Sequence, residues 1–235
     1  MHPFYCTTDC LPGIKSYSIL LDLAGTGTNP YNRNPADFPL MGRSRIKPVL
    51  QPDDVSCGPA TVKHVMAVFN RRRSISSLSR LCRTNGNGTN TKNMIRALRR
   101  LGFYVSVRES ATLSDVKRAL RRDSRKQAAI VSYLAEDRPD RTPDPDSGHW
   151  GMVAGFSPKR QRISILDSSV GARRTYRWDN FRQRWYDYDL KRNRSHARSP
   201  RFRVRRQWQP HLLMVASQSI PDNPGLRQLR TFSPL

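Results

Sequence analysis

The chain has 235 residues, 37% hydrophobic and 26% charged, enough to bury a core and better suited to one domain with tails than to two domains. Lys and Arg number 42 against 18 acidic residues, and a formal charge of +24 attracts nucleic acid, anionic surfaces or acidic peptides at low salt. No run approaches the length of a membrane span, and "MHPFYCTTDC" lacks a basic signal region, so the expectation is a soluble protein of the reducing cytoplasm.

Residues 1–46 are rich in Pro, Gly, Asn and Thr without sustained periodicity, and read as an irregular N-terminal arm. After Cys57, the apolar residues Ala60, Val62, Val65, Met66 and Phe69 recur at helical spacing, with Pro59 in the first turn. "SISSLSRLCR" fits a second short helix. A third follows in "NGNGTNTKNMIRALRRLG", capped by Asn90 or Thr91, striped by Met94, Ile95, Leu98 and Leu101, and stopped at Gly102. "FYVSV" alternates as a strand, "TLSDVKRALRR" returns to helical spacing, and "AAIVSYL" reads as a buried strand.

"HWGMVAGF" and "ISILDS" then form a predicted hairpin, "YRWDNFRQRWYDYDL" a short aromatic helix, and "HLLMVAS" a last strand. The run 191–206, with eight basic residues and no acid, is expected as a solvated loop insertion, and 218–235 as a C-terminal tail. Helices first and antiparallel strands later argue for an α+β domain over 47–217.

Four cysteines are too sparse for a disulfide framework, and Cys6 and Cys10 have no companions to complete a zinc site, so neither cofactor nor metal is expected. Cys57 stands at a predicted helix start, where unpaired N–H groups and the helix dipole favour a thiolate. A small cysteine there is otherwise a packing residue. Gln51, six residues upstream, can present its amide to an oxyanion beside the Cys57 N–H. His149 opens a strand after the flexible "PDPDSG" and is the candidate base, with His211 its rival, while Asp167 at the end of the next strand can orient the imidazole.

"QPDDVSCGPA", "NGNGTNTKNMIRALRRLGF", "GHWGMVAGF" and "ISILDSSVGARRTYRWDNFRQRWYD" together resemble the bacteriocin-processing, papain-like cysteine peptidases, and especially their stand-alone members. The resemblance covers roughly residues 46 to 190. It implies a papain-like fold with N-terminal helices packed on a C-terminal antiparallel sheet. It also implies a nucleophile Cys57, a base His149, an orienting Asp167, an oxyanion donor Gln51, and a peptide substrate such as a double-glycine leader. The chain departs from that pattern at Ser56, where an acid is usual, and at "DSS", where Asp-Pro often follows. An alternative keeps the scaffold as a silent peptide-binding or basic nucleic-acid-binding module, and acyl transfer to an amine would use the same residues as hydrolysis.

Overall fold

The computed structural model describes residues 46–121, 127–194, 202–220 and 230–235. The expected N-terminal arm lies outside these residues except for Ile46, as do Cys6 and Cys10. Three helices come first: α1 (Cys57–Val68), α2 (Ile75–Cys82) and α3 (Thr91–Arg100). Their boundaries follow local chemistry. Ser74 and Asn90 accept the backbone N–H groups of Ser77 and Asn93 as side-chain caps, and Gly102 leaves α3 at φ 81°, a left-handed conformation glycine adopts without strain.

The remaining elements are β1 (Tyr104–Arg108), α4 (Leu113–Ala119), β2 (Gln127–Leu134), β3 (Gly148–Ser157), β4 (Arg162–Asp167), β5 (Ala172–Arg177), α5 (Trp178–Arg184), β6 (Tyr186–Arg194), β7 (Phe202–Pro210), β8 (Leu213–Ser217) and β9 (Arg230–Phe232). Seven strands form one sheet in the order β5-β4-β3-β2-β8-β1-β9. All its pairs are antiparallel. β6 and β7 make a separate two-stranded ribbon.

Strand alternation divides the core between the two sheet faces. On β2, Ala128 and Ile130 join the cluster built by α1, α2 and α3. Ala129, Val131 and Tyr133 point the other way, toward Val116 of α4, Phe181 of α5 and Trp185. The expected α+β arrangement of helices on an antiparallel sheet is present, with α4 and α5 adding a second covered face.

Two finer expectations need correction. The basic run 191–206 is not simply a loop: it supplies the end of β6 and the start of β7, whose pairing satisfies the backbone where sequence composition suggested only solvated charge. The tail also returns to the sheet, because β9 pairs with β1 at Val105↔Phe232, Ser106↔Thr231 and Val107↔Arg230. β5, too, was hidden in "ARRTYR", whose arginines mask the alternation.

The stretch before α1 is pinned to the helix by a histidine. His64 is fully buried, and its Nε2 accepts the Val49 N–H at 2.9 Å. Burial lowers its pKa to about 4, which keeps the ring a neutral acceptor. The unfolded chain therefore takes up this proton first, and the His64 contribution to stability, complete above pH 6.5, is lost progressively down to about pH 4. Replacing His64 by Gln should flatten the fall in stability across that window by roughly 3 kcal/mol. Urea unfolding of both proteins at matched pH checks it. The comparison must be differential, because Asp187, raised to about 7 chiefly by burial, titrates with the opposite sign in the same range.

Candidate active site

Cys57 is the first residue of α1 and is buried. Ser56 offers no side-chain cap there, so the first-turn N–H groups of α1 have no hydroxyl competing for them. The helix is locked against β3 by the Thr61 hydroxyl, which donates to the Trp150 carbonyl at 2.9 Å. Trp150 in turn donates its Nε1–H to the Thr89 carbonyl at 2.7 Å. These bonds tie the start of α1, the loop before α3 and the start of β3 into one corner.

His149 stands in that corner on β3, and Asp167 ends β4. Both are buried, and His149 Nε2 lies 3.0 Å from Asp167 Oδ1. The pair is at ion-pair distance but off the line of an aligned hydrogen bond. With Nε2 directed at Asp167, Nδ1 is the ring nitrogen left for the Cys57 thiol. Tyr133, the cross-strand partner of His149 on β2, packs edge-on to the imidazole with ring centres 5.7 Å apart.

Asp167 is held by more than the histidine. Its Oδ1 also accepts the Ser169 N–H at 2.8 Å and the Ser169 hydroxyl at 2.7 Å. Its Oδ2 accepts the Tyr133 hydroxyl at 2.8 Å and lies 3.1 Å from Arg174 Nε. Burial alone would raise this carboxyl. The closeness and charge of His149, then Ser169 and Arg174, outweigh burial and hold it well below the usual carboxylate range.

The electrostatics of His149 follow the same contest. Burial opposes charge on the ring, yet the closeness and charge of Asp167 and Cys57 raise its pKa to about 10. The arrangement therefore favours a protonated imidazole between two acidic groups at neutral pH, the form in which a neighbouring cysteine is a nucleophile.

Gln51 reaches the same corner from the other side. Its backbone N–H donates to the Ser168 carbonyl at 2.9 Å, and its side-chain oxygen accepts the Ser168 hydroxyl at 2.8 Å. Its Nε2 donates to the Asp53 carbonyl at 2.8 Å, so one of its two amide hydrogens is already used.

Thus Cys57, His149 and Asp167 come together, with Gln51 tethered to the residue after Asp167. His211 does not join them: it occupies the turn before β8 and stacks on Trp185 at 5.1 Å. Sequence reading missed Tyr133, Arg174, Ser168 and Ser169, the groups that hold Asp167 and Gln51. Tyr133 sits in an apolar strand and Arg174 among other arginines, and neither position carries a local signal.

A groove of about 850 Å³ opens on Cys57, between the loop Asn85–Asn90, the start of β3 and the β6–β7 ribbon. Among the described residues no group of His, Cys, Asp and Glu could hold a metal ion. No helix among them is long and apolar enough to cross a membrane. Nothing in these residues supports the nucleic-acid reading of the net charge.

Residues 45–196 match the model of the Peptidase C39 family. No curated protein matches the chain. Among solved structures, it is similar to the peptidase domain of Streptococcus ComA, a bifunctional ABC transporter involved in quorum sensing, at 18% identity and a TM-score of 0.54, covering 74% of this chain and 100% of that one. It is also similar to a double glycine motif protease from an AMS/PCAT transporter, solved with its leader peptide, at 13% identity and a TM-score of 0.50, covering 76% and 95% of the two chains.

The raised pKa of His149 has a defined sign in stability. Its contribution is fully present below the unfolded value of 6.5 and is lost as pH rises through about 10. Asp167→Asn removes one of the two acidic partners and should lower the His149 midpoint by about one to three units. An NMR titration of the His149 ring in both proteins measures this directly. An unchanged midpoint would show that Asp167 does not hold the proton.

Proposed function

The chain belongs to the Peptidase C39 family and is a cysteine peptidase, and we propose that it hydrolyses peptide bonds through Cys57, His149 and Asp167, with Gln51 as oxyanion donor. The observation that supports this reading is a buried histidine–aspartate pair 3.0 Å apart, with the helix-start cysteine near enough to the histidine to raise its pKa.

In this reading the Cys57 thiolate attacks the substrate carbonyl carbon, forming a carbon–sulfur bond and a tetrahedral oxyanion. The Cys57 N–H and the free amide hydrogen of Gln51 stabilise that negative charge. Collapse breaks the C–N bond as His149 gives its proton to the leaving amine, which departs and leaves an acyl-enzyme. Water, losing a proton to His149, then attacks the acyl carbon, and cleavage of the carbon–sulfur bond regenerates the thiolate. Asp167 stays ionised throughout and fixes the ring.

The substrate class suggested by the solved neighbour with a bound leader peptide is a peptide cut after a double glycine.

Purified protein should cleave a peptide containing Gly-Gly in a reaction stopped by a thiol alkylator, and Cys57→Ala should abolish it. Activity surviving in Cys57→Ala would overturn the assignment. Gln51→Ala should lower kcat by roughly two to three orders of magnitude with a much smaller change in KM, as expected when one oxyanion donor is removed. Steady-state kinetics on one peptide separates the two parameters.

A further inference from the structure

The groove beside Cys57 carries a charge opposite to that of the chain around it. In a protein of formal charge +24, the groove wall contains Asp54, Asp146, Asp187 and Asp189 and, among the described residues, no lysine or arginine. Two of these acids are already countered. Asp146 accepts Arg206 at 2.6 Å and the Tyr188 hydroxyl at 3.0 Å. Asp189 accepts the Thr91 N–H at 3.1 Å and stands 3.7 Å from Lys191 Nζ.

Asp187 differs from both. Its Oδ1 accepts the Tyr188 N–H at 2.7 Å, while its Oδ2 meets no donor among the described residues. The carboxylate lies directly over Gly148, the residue before His149, where a Cβ would overlap it. Burial pushes this carboxyl up to about 7; the charge of Asp189 adds to the rise, and the Tyr188 N–H and His149 oppose it. A carboxylate in that state is short of a cation, and a cation brought into the groove would hold it ionised.

On the peptidase reading of Cys57, we infer that this wall is a specificity subsite, anchored by Asp187, that takes a lysine or arginine side chain of the substrate close to the cleaved bond. The occupant is an organic cation rather than a metal ion, because no group of three or more metal-ligating side chains assembles there among the described residues. The groove volume of about 850 Å³ accommodates a long side chain beside the backbone of a bound peptide. An arginine or lysine delivered to Oδ2 makes a charge-assisted hydrogen bond in a partly desolvated site, which is the strong kind. The positive surface elsewhere disfavours such a substrate in general, so the selectivity has to be local.

The test uses decapeptides in which Lys, Gln or Glu occupies each of three positions on either side of a Gly-Gly pair. At one position the Lys peptide should be cleaved with a kcat/KM roughly tenfold above its Gln counterpart and further above Glu. That ratio should fall toward one in Asp187→Asn, and also in the unaltered protein when NaCl is raised from low to high concentration. The salt measurement stands even if the variant fails to fold. Equal cleavage of Lys and Gln peptides at every position, or a preference that survives both Asp187→Asn and high salt, overturns the inference. Binding of the same peptides to Cys57→Ala protein, followed by fluorescence anisotropy, separates the two readings. A Lys preference in binding without any turnover in the native protein would sink the peptidase reading and keep the subsite, whereas turnover with no preference would do the reverse.

Discussion

The buried carboxylate of Asp167 is the constraint around which one end of the sheet is organised. An ionised carboxyl taken out of water costs several kcal/mol unless both oxygens are satisfied. Here they are met by groups from three strands and a turn: His149 on β3, Tyr133 on β2, Arg174 on β5, and Ser169 just beyond β4. That set exists only if β2, β3, β4 and β5 are neighbours in that order. The burial of Tyr133 keeps its phenol neutral, with its pKa far above the ordinary value, so it remains a donor. The His149–Asp167 pair is thus a product of sheet order, and leaving Asp167 unmet would penalise any other order.

The helices and the central hairpin were legible in the sequence because their information is periodic. Met94, Leu98 and Leu101 mark one face of α3, and "AAIVSYL" and "HWGMVAGF" mark strands buried on both faces. Cys57, His149, Asp167 and Gln51 stand out in the sequence by residue type and order along the chain, and in the fold His149 lies beside Asp167 while Gln51 is bonded to Ser168. β5, β6, β7 and β9 were not legible. Arg173 and Arg174 alternate with nothing apolar, and β6 and β7 pair mainly with each other, so their partners rather than their composition define them. β9 is three residues long and is specified by the open edge of β1.

The residues that complete the site were hidden for a related reason. Ser168 holds Gln51 across 117 positions of chain, and Tyr133 holds Asp167 across 34. Neither separation has a pattern that one sequence can display. Asp187 looked like one acid in an aromatic run, and its position over Gly148 emerges only when the β6–β7 ribbon folds against β3. Gly148 records that contact in the sequence, but a glycine before a strand has many other causes.

The net charge and the groove act over different ranges. A field of +24 draws negatively charged molecules from a distance, but at physiological salt it fades over about 8 Å. Within the groove, Asp187 is half-buried and lies over Gly148, next to His149, so it is less hydrated than a surface charge. Local contacts therefore decide what sits beside Cys57, whatever the surface attracts. The same short range governs His149, whose pKa is raised to about 10 by Asp167 at 3.0 Å and by Cys57 against the opposing effect of burial. Arg174 is turned onto the far oxygen of the same carboxylate, where the two charges offset each other. One aspartate thus orients the histidine, neutralises the nearest arginine and, through its neighbour Ser168, fixes the position of Gln51.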